Sequence, residues 1–110
     1  MYKMQIALLH KHYDEQQLAS VKARMTKRGA PVIRAVWSEI YGMWMAFEGC
    51  HRLRAAKELG LTPVIKDISG QKYTHIQQDG ENVKVNVATF AAEMEADLWK
   101  SKDITFDDTN

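Results

Sequence analysis

The chain has 110 residues, 45% of them hydrophobic and 26% charged, the profile of one globular domain with a single modest core. Fifteen Lys and Arg against fourteen Asp and Glu leave a formal net charge of +1, which excludes a global basic field for recruiting nucleic acid or an anionic membrane and leaves any such binding to a local patch. One cysteine excludes an intrachain disulfide framework and suits a reducing cytosol. No apolar run approaches the ~20 residues of a membrane span, and the start Met1-Tyr2-Lys3-Met4-Gln5 does not resemble a signal peptide. The expectation is a cytoplasmic protein with no membrane partner.

Residues 2–9 are apolar and end at His10-Lys11-His12-Tyr13, which predicts a first strand followed by a connection. His10 and His12 fall on one side of that strand end, but two such ligands do not specify zinc. Asp14 offers an N-cap carboxylate with Gln17 three residues later, and Leu18, Val21 and Met25 form one helical stripe that Gly29 and Pro31 end. Lys22, Arg24, Lys27 and Arg28 make this helix basic. That suits a nearby anion, and reads more simply as a solvated face with cations near the helix C-terminus.

Residues 32–37 and 43–48 read as an antiparallel pair, with Met43, Met45 and Phe47 on one face and Trp44, Ala46 and Glu48 on the other. A helix over Cys50–Leu59 places Leu53, Ala56 and Leu59 inward and stops at Gly60. Residues 62–68 return as a strand. Asp79-Gly80 marks a hairpin between residues 73–78 and 81–87. Thr89 can cap a last helix over residues 90–100, with Phe90, Met94 and either Leu98 or Trp99 docking on the body. Trp37, Trp44 and Trp99 read as core or docking residues rather than base-stacking platforms. Residues 103–110 are acidic and polar and are expected to fray, Ile104 and Phe106 excepted.

The stretch that organises this pattern is the abrupt passage from strand to helix around Glu48-Gly49-Cys50-His51-Arg52. Such a junction points the first backbone N–H groups of the helix outward, a ready anion site. Gly49 lets the backbone approach a phosphate closely, the amides of Cys50 to Arg52 form the cradle, and Arg52 can add a bidentate charged contact.

Glu48-Gly49-Cys50-His51-Arg52-Leu53-Arg54-Ala55-Ala56-Lys57, with Pro31-Val32-Ile33 before it and Pro63-Val64 after it, resembles the ParB/sulfiredoxin superfamily. ParB-type domains show a Gly-Glu-Arg-Arg-x-Arg-Ala-Ala-Lys pattern, matched at Gly49, Arg52, Arg54, Ala55, Ala56 and Lys57. Sulfiredoxins carry Gly-Gly-Cys-His-Arg, matched at Gly49, Cys50, His51 and Arg52. The resemblance covers about residues 5–68 and implies a small α/β (α+β) fold: a mixed sheet of about four strands with flanking helices. On that reading residues 1–110 are a single domain, with a core over 2–68, a C-terminal hairpin and helix extension over 69–102, and a frayed tail over 103–110.

The resemblance further implies that the 49–52 turn binds nucleotide phosphates: ATP in sulfiredoxins, CTP in many partition proteins, ADP or ATP in free-serine kinases of this fold. Asp14 and Ser20 fit the corresponding polar positions of the site, while Gln17 stands where sulfiredoxins carry a phosphate-facing lysine. Cys50 aligns with the sulfiredoxin cysteine that takes part in reducing a peroxiredoxin sulfinic acid; a helix N-terminus and Arg52 should favour its thiolate. Where other members place Glu, His or Ser, it is equally a small tolerated residue. Glu48 would repel phosphate unless Mg²⁺ lies between them, so it is a candidate metal ligand or general base; its alternatives are a solvent-facing carboxylate or a salt bridge to Arg52 or Arg54.

Three function classes follow. One is an ATP-dependent phosphotransferase or sulfiredoxin-like oxidoreductase using Cys50 and Glu48, with Gly49, His51 and Arg52 on the nucleotide. The second is a nucleotide-binding module without chemistry; partition proteins also carry a DNA-binding domain, for which this length leaves no room, so DNA is not an expected partner. The third is a non-catalytic interaction, regulatory or inhibitor protein, for instance from a mobile element, that meets a protein partner through the hairpin and last helix.

Overall fold

A computed structural model describes residues 2–8, 13–100 and 103–108. The alternation of apolar side chains along the strands gives a central sheet two buried faces, each covered by its own set of elements. The chain runs β1 (Tyr2–Ala7), α1 (Glu15–Arg28), β2 (Val32–Ser38), β3 (Met43–Ala46), α2 (Cys50–Leu59), β4 (Val64–Asp67), β5 (Tyr73–Gln78), β6 (Glu81–Asn86), α3 (Val87–Ala96), a 3₁₀ turn (Leu98–Lys100) and β7 (Asp103–Asp108). The sheet order is β4-β2-β3-β1-β7, with β1·β3 and β2·β4 parallel and β2·β3 and β1·β7 antiparallel; β5 and β6 form a separate hairpin. The fold is therefore a small mixed-sheet α/β domain, as expected. Among the described residues no helix is long and apolar enough to cross a membrane.

The predicted phase of β3 divides the two cores. Trp44 and Ala46 face α1 and α2, joining Ile6, Ile33, Val21, Met25 and Leu53. Met43, Met45 and Phe47 face the hairpin and α3, joining Ile68, Ile76, Val87 and Leu98. Leu53 and Phe47 are each 0% exposed, and burying a side chain of this size stabilises by about 1.5–3 kcal/mol.

Local signals fix the ends of the elements near the site. Asp14 caps α1 through Oδ1, which accepts from the Gln17 N–H at 2.8 Å. Gly60 ends α2 in the left-handed region (φ 71°), with its N–H and that of Leu61 satisfying carbonyls of the last turn. Asp79 (φ 52°) and Gly80 (φ 79°) form the two-residue hairpin turn that their sequence demands.

Two expectations need correction, and one open alternative is resolved. The last helix begins at Val87, not residue 90, because Asn86 is its cap: its Oδ1 accepts from the Thr89 N–H at 2.9 Å, which makes Thr89 the third helical residue. Leu98, at 4% exposed, docks on the core, and Trp99 stays out at 69%. Residues 103–108 do not fray but pair with all of β1, giving the sheet a fifth strand. Ile104 and Phe106, two residues apart, reach the same core, and Lys57 Nζ donates to the Thr105 carbonyl at 2.5 Å. Their acidic neighbours disguised that short alternation. Leu9, His10 and His12 lie outside the described residues.

Candidate functional site

The β3–α2 junction opens into a cleft of about 520 Å³, within the usual range for small-molecule sites. Its walls come from three places: Gln17, Val21 and Arg24 on α1, residues 47–52 of the junction, and Gln77 and Gly80 of the hairpin. Gln17, Val21 and Arg24 share this wall because spacings of four and three residues lie on one helical face.

Gly49 is required by geometry. It stands at the N-cap of α2 with φ 82°, and a Cβ there would meet Ile33 Cδ1 at 2.7 Å. Having no side chain, it brings no cap to the helix, and it leaves room for the Arg52 side chain, which folds back over it. Arg52 Nη1 donates to the Val32 carbonyl at 3.1 Å, and Nη2 pairs with Glu48 Oε1 at 2.8 Å.

Glu48 is held from both sides. Its Oε2 accepts from Arg34 Nε at 2.6 Å and from the Arg34 backbone N–H at 3.4 Å, while Arg34 Nη1 donates to Thr74 Oγ1 at 2.5 Å. One carboxylate thereby ties β2, the junction and α2 together, and Arg34 ties them on to the hairpin. Burial raises the Glu48 carboxyl, but the hydrogen bond from Arg34 and the charges of Arg52 and Arg34 outweigh it and hold the group below its ordinary value.

This arrangement does not fit a magnesium ion held by the protein. Among the described residues Glu48 is the one carboxylate in the cleft lining, both its oxygens are on guanidinium groups, and a dication would have to share it with two positive charges. Among the described residues no group of three or more His, Cys, Asp or Glu could hold a metal.

His51 lines the cleft, and its Nε2 accepts the Asp14 backbone N–H at 2.9 Å, so that nitrogen carries no proton. The contact sets the start of α2 against the start of α1. Cys50 lines the cleft as well, but is 6% exposed and packs among Leu53, Val21 and Met25. The structure thus brings Glu48, Gly49, Cys50, His51 and Arg52 into one cleft. Asp14 and Ser20 are not in its lining: Asp14 serves the α1 cap and Ser20 is exposed.

Sequence alone does not single out Arg24 in the cleft wall or Arg34 behind Glu48. Arg24 appeared only as one of several helix cations, although its seven-residue spacing from Gln17 marks the shared face. Arg34 interrupts Val32-Ile33-Arg34-Ala35-Val36, and a charge inside an apolar strand needs a partner; the antiparallel register, Ala35 against Ala46, places Glu48 within reach. Comparison of the chain with protein-family models, with curated proteins and with solved structures finds no match in any of the three.

Proposed function

We propose that the chain is a nucleotide-binding domain of ParB/sulfiredoxin type, which holds the phosphates of ATP or another nucleoside triphosphate at the turn formed by Gly49, Cys50, His51 and Arg52. The observation that carries the reading is convergence: a helix N-terminus that starts on glycine, with Arg52 and Arg24, lines one nucleotide-sized cleft. Binding without chemistry is the form best supported. Sulfiredoxin-like chemistry would need the buried Cys50 to reach a partner's sulfur, and Glu48 as general base or metal ligand would have to leave Arg34 and Arg52. The same two observations are compatible with the second reading, a non-catalytic regulatory or inhibitor protein.

Thermal unfolding with ATP, ADP, CTP and GTP, each with and without Mg²⁺, tests the proposal on the wild type, Arg24→Gln and Arg52→Ala. A nucleotide at a hundredfold excess over its Kd adds about 2.7 kcal/mol, a rise in Tm of about 10 °C for a domain of this size. Arg24→Gln leaves the Glu48 network whole, so a smaller shift in that variant reports lost binding and not lost structure. If no nucleotide moves the wild-type Tm, the reading fails. Phosphoryl transfer that persists in Cys50→Ser would exclude the thiol as nucleophile.

A further inference from the structure

A second cleft, of about 310 Å³, lies against the first and shares Val21, Arg24 and Arg52 with it. Its own additions are Met25 and Arg28 on α1 and residues 29–31 of the loop into β2. Three arginines therefore contribute to its lining, with no acidic residue among the described ones. Among the described residues neither Arg24 nor Arg28 forms a salt bridge, whereas Arg52 is shared with Glu48. The lining between the arginines is apolar and buried at Val21, Met25 and Pro31. Walls of low dielectric carrying one sign of charge focus the field in a cleft, so this small volume attracts anions although the whole chain is nearly neutral.

Arg24 and Arg28 are one α1 turn apart, an axial rise of about 6 Å, and Arg24 and Arg52 serve both clefts. The two clefts therefore adjoin along Arg24 and Arg52. We propose that the second cleft is an anion subsite for the distal phosphate of the ligand whose first phosphate lies at the 49–52 turn. The ligand class is then a compound with linked phosphates, a nucleoside di- or triphosphate or an inorganic polyphosphate, and not a monophosphate. This rests on the phosphate-binding reading of the first cleft. Arg28 reads the length of the phosphate chain.

Titration calorimetry at low salt tests it with orthophosphate, pyrophosphate, inorganic triphosphate, ADP and ATP on the wild type, Arg28→Gln and Lys27→Gln. Lys27 is exposed on the same helix turn and outside both linings, so it carries the same change of net charge. The expected result is tighter binding with each added phosphate, and a loss of about five- to tenfold for triphosphate in Arg28→Gln, the size of one charge-assisted contact, with orthophosphate unchanged. Equal loss in Lys27→Gln overturns the subsite in favour of a diffuse field. Loss for ADP without loss for pyrophosphate overturns it in favour of a pocket for the base. If Arg28→Gln changes nothing while wild type still binds phosphate, the subsite alone fails; if wild type binds none of the five, the phosphate reading fails with it. Equal effects on triphosphate and ATP would identify the phosphate chain as all that this cleft recognises.

Discussion

Replacing Gly49 by alanine should be among the most destabilising single-methyl changes in the chain, for two separable reasons. Alanine at φ 82° pays about 1–2 kcal/mol of left-handed strain. Its Cβ would also stand 2.7 Å from Ile33 Cδ1, and Ile33 is 0% exposed, so it yields only by disturbing the helix-side core; overpacking of this kind costs about 1–3 kcal/mol. Together the loss is about 3 kcal/mol, a fall in Tm of about 12 °C. Ile33→Val removes the offending carbon and by itself costs about 1 kcal/mol. In the alanine background it should relieve the clash, leaving the double variant about 2 kcal/mol below wild type and the pair non-additive by a similar amount. Urea unfolding of the four proteins, with m held constant, measures the cycle. Additivity within about 0.5 kcal/mol would refute the claim that Gly49 is required by its approach to Ile33.

Glu48→Gln should cost about 2 kcal/mol near neutral pH, since it removes the charge that both Arg34 and Arg52 meet. The carboxyl is held below its ordinary value, so its contribution is complete above the ordinary glutamate range and is lost as pH falls through the lowered value. The gap in stability between wild type and variant should therefore close in acid; a gap independent of pH would mean that the ion pairs contribute nothing. Asn86→Ala should cost about 1 kcal/mol through loss of the α3 cap and leave ligand-induced Tm shifts untouched, and a changed ligand response would put α3 in the site. Cys50→Ser should destabilise more than Cys50→Ala, by about 1 kcal/mol, if Cys50 is a core residue; the reverse order would indicate that the side chain meets solvent.

The fold was legible where one signal dominated. Asp14, Gly60 and Asp79-Gly80 each permit few backbone geometries, and the alternation of β3 assigned Met45 and Ala46 to opposite cores correctly. Thr89 misled because Asn86 is as good a cap and lies three residues earlier, where the strand of the hairpin already ends. The tail misled because local composition cannot report a pairing partner about a hundred residues away. For the site, the turn itself was legible from Gly49 and Arg52. Its electrostatics were not: they depend on Arg34, whose importance appears only once strand register brings Glu48 beside it.

The pairing of β7 with β1 bears on how the molecule assembles. Tyr2 lies opposite Asp108 and Ala7 opposite Asp103, so the strand that completes the sheet is supplied by the far end of the chain. Closing a loop of that length carries a large entropic cost before any contact rewards it. During synthesis, β1 and β3 can pair long before β7 exists, and until then the outer side of β1 is an open template for another strand. Once β7 is in place, Lys57 of α2 reaches across to it, donating to the Thr105 carbonyl and lying over the Phe106 ring, so the strand that closes the sheet edge is also tied to the helix that follows the 49–52 turn.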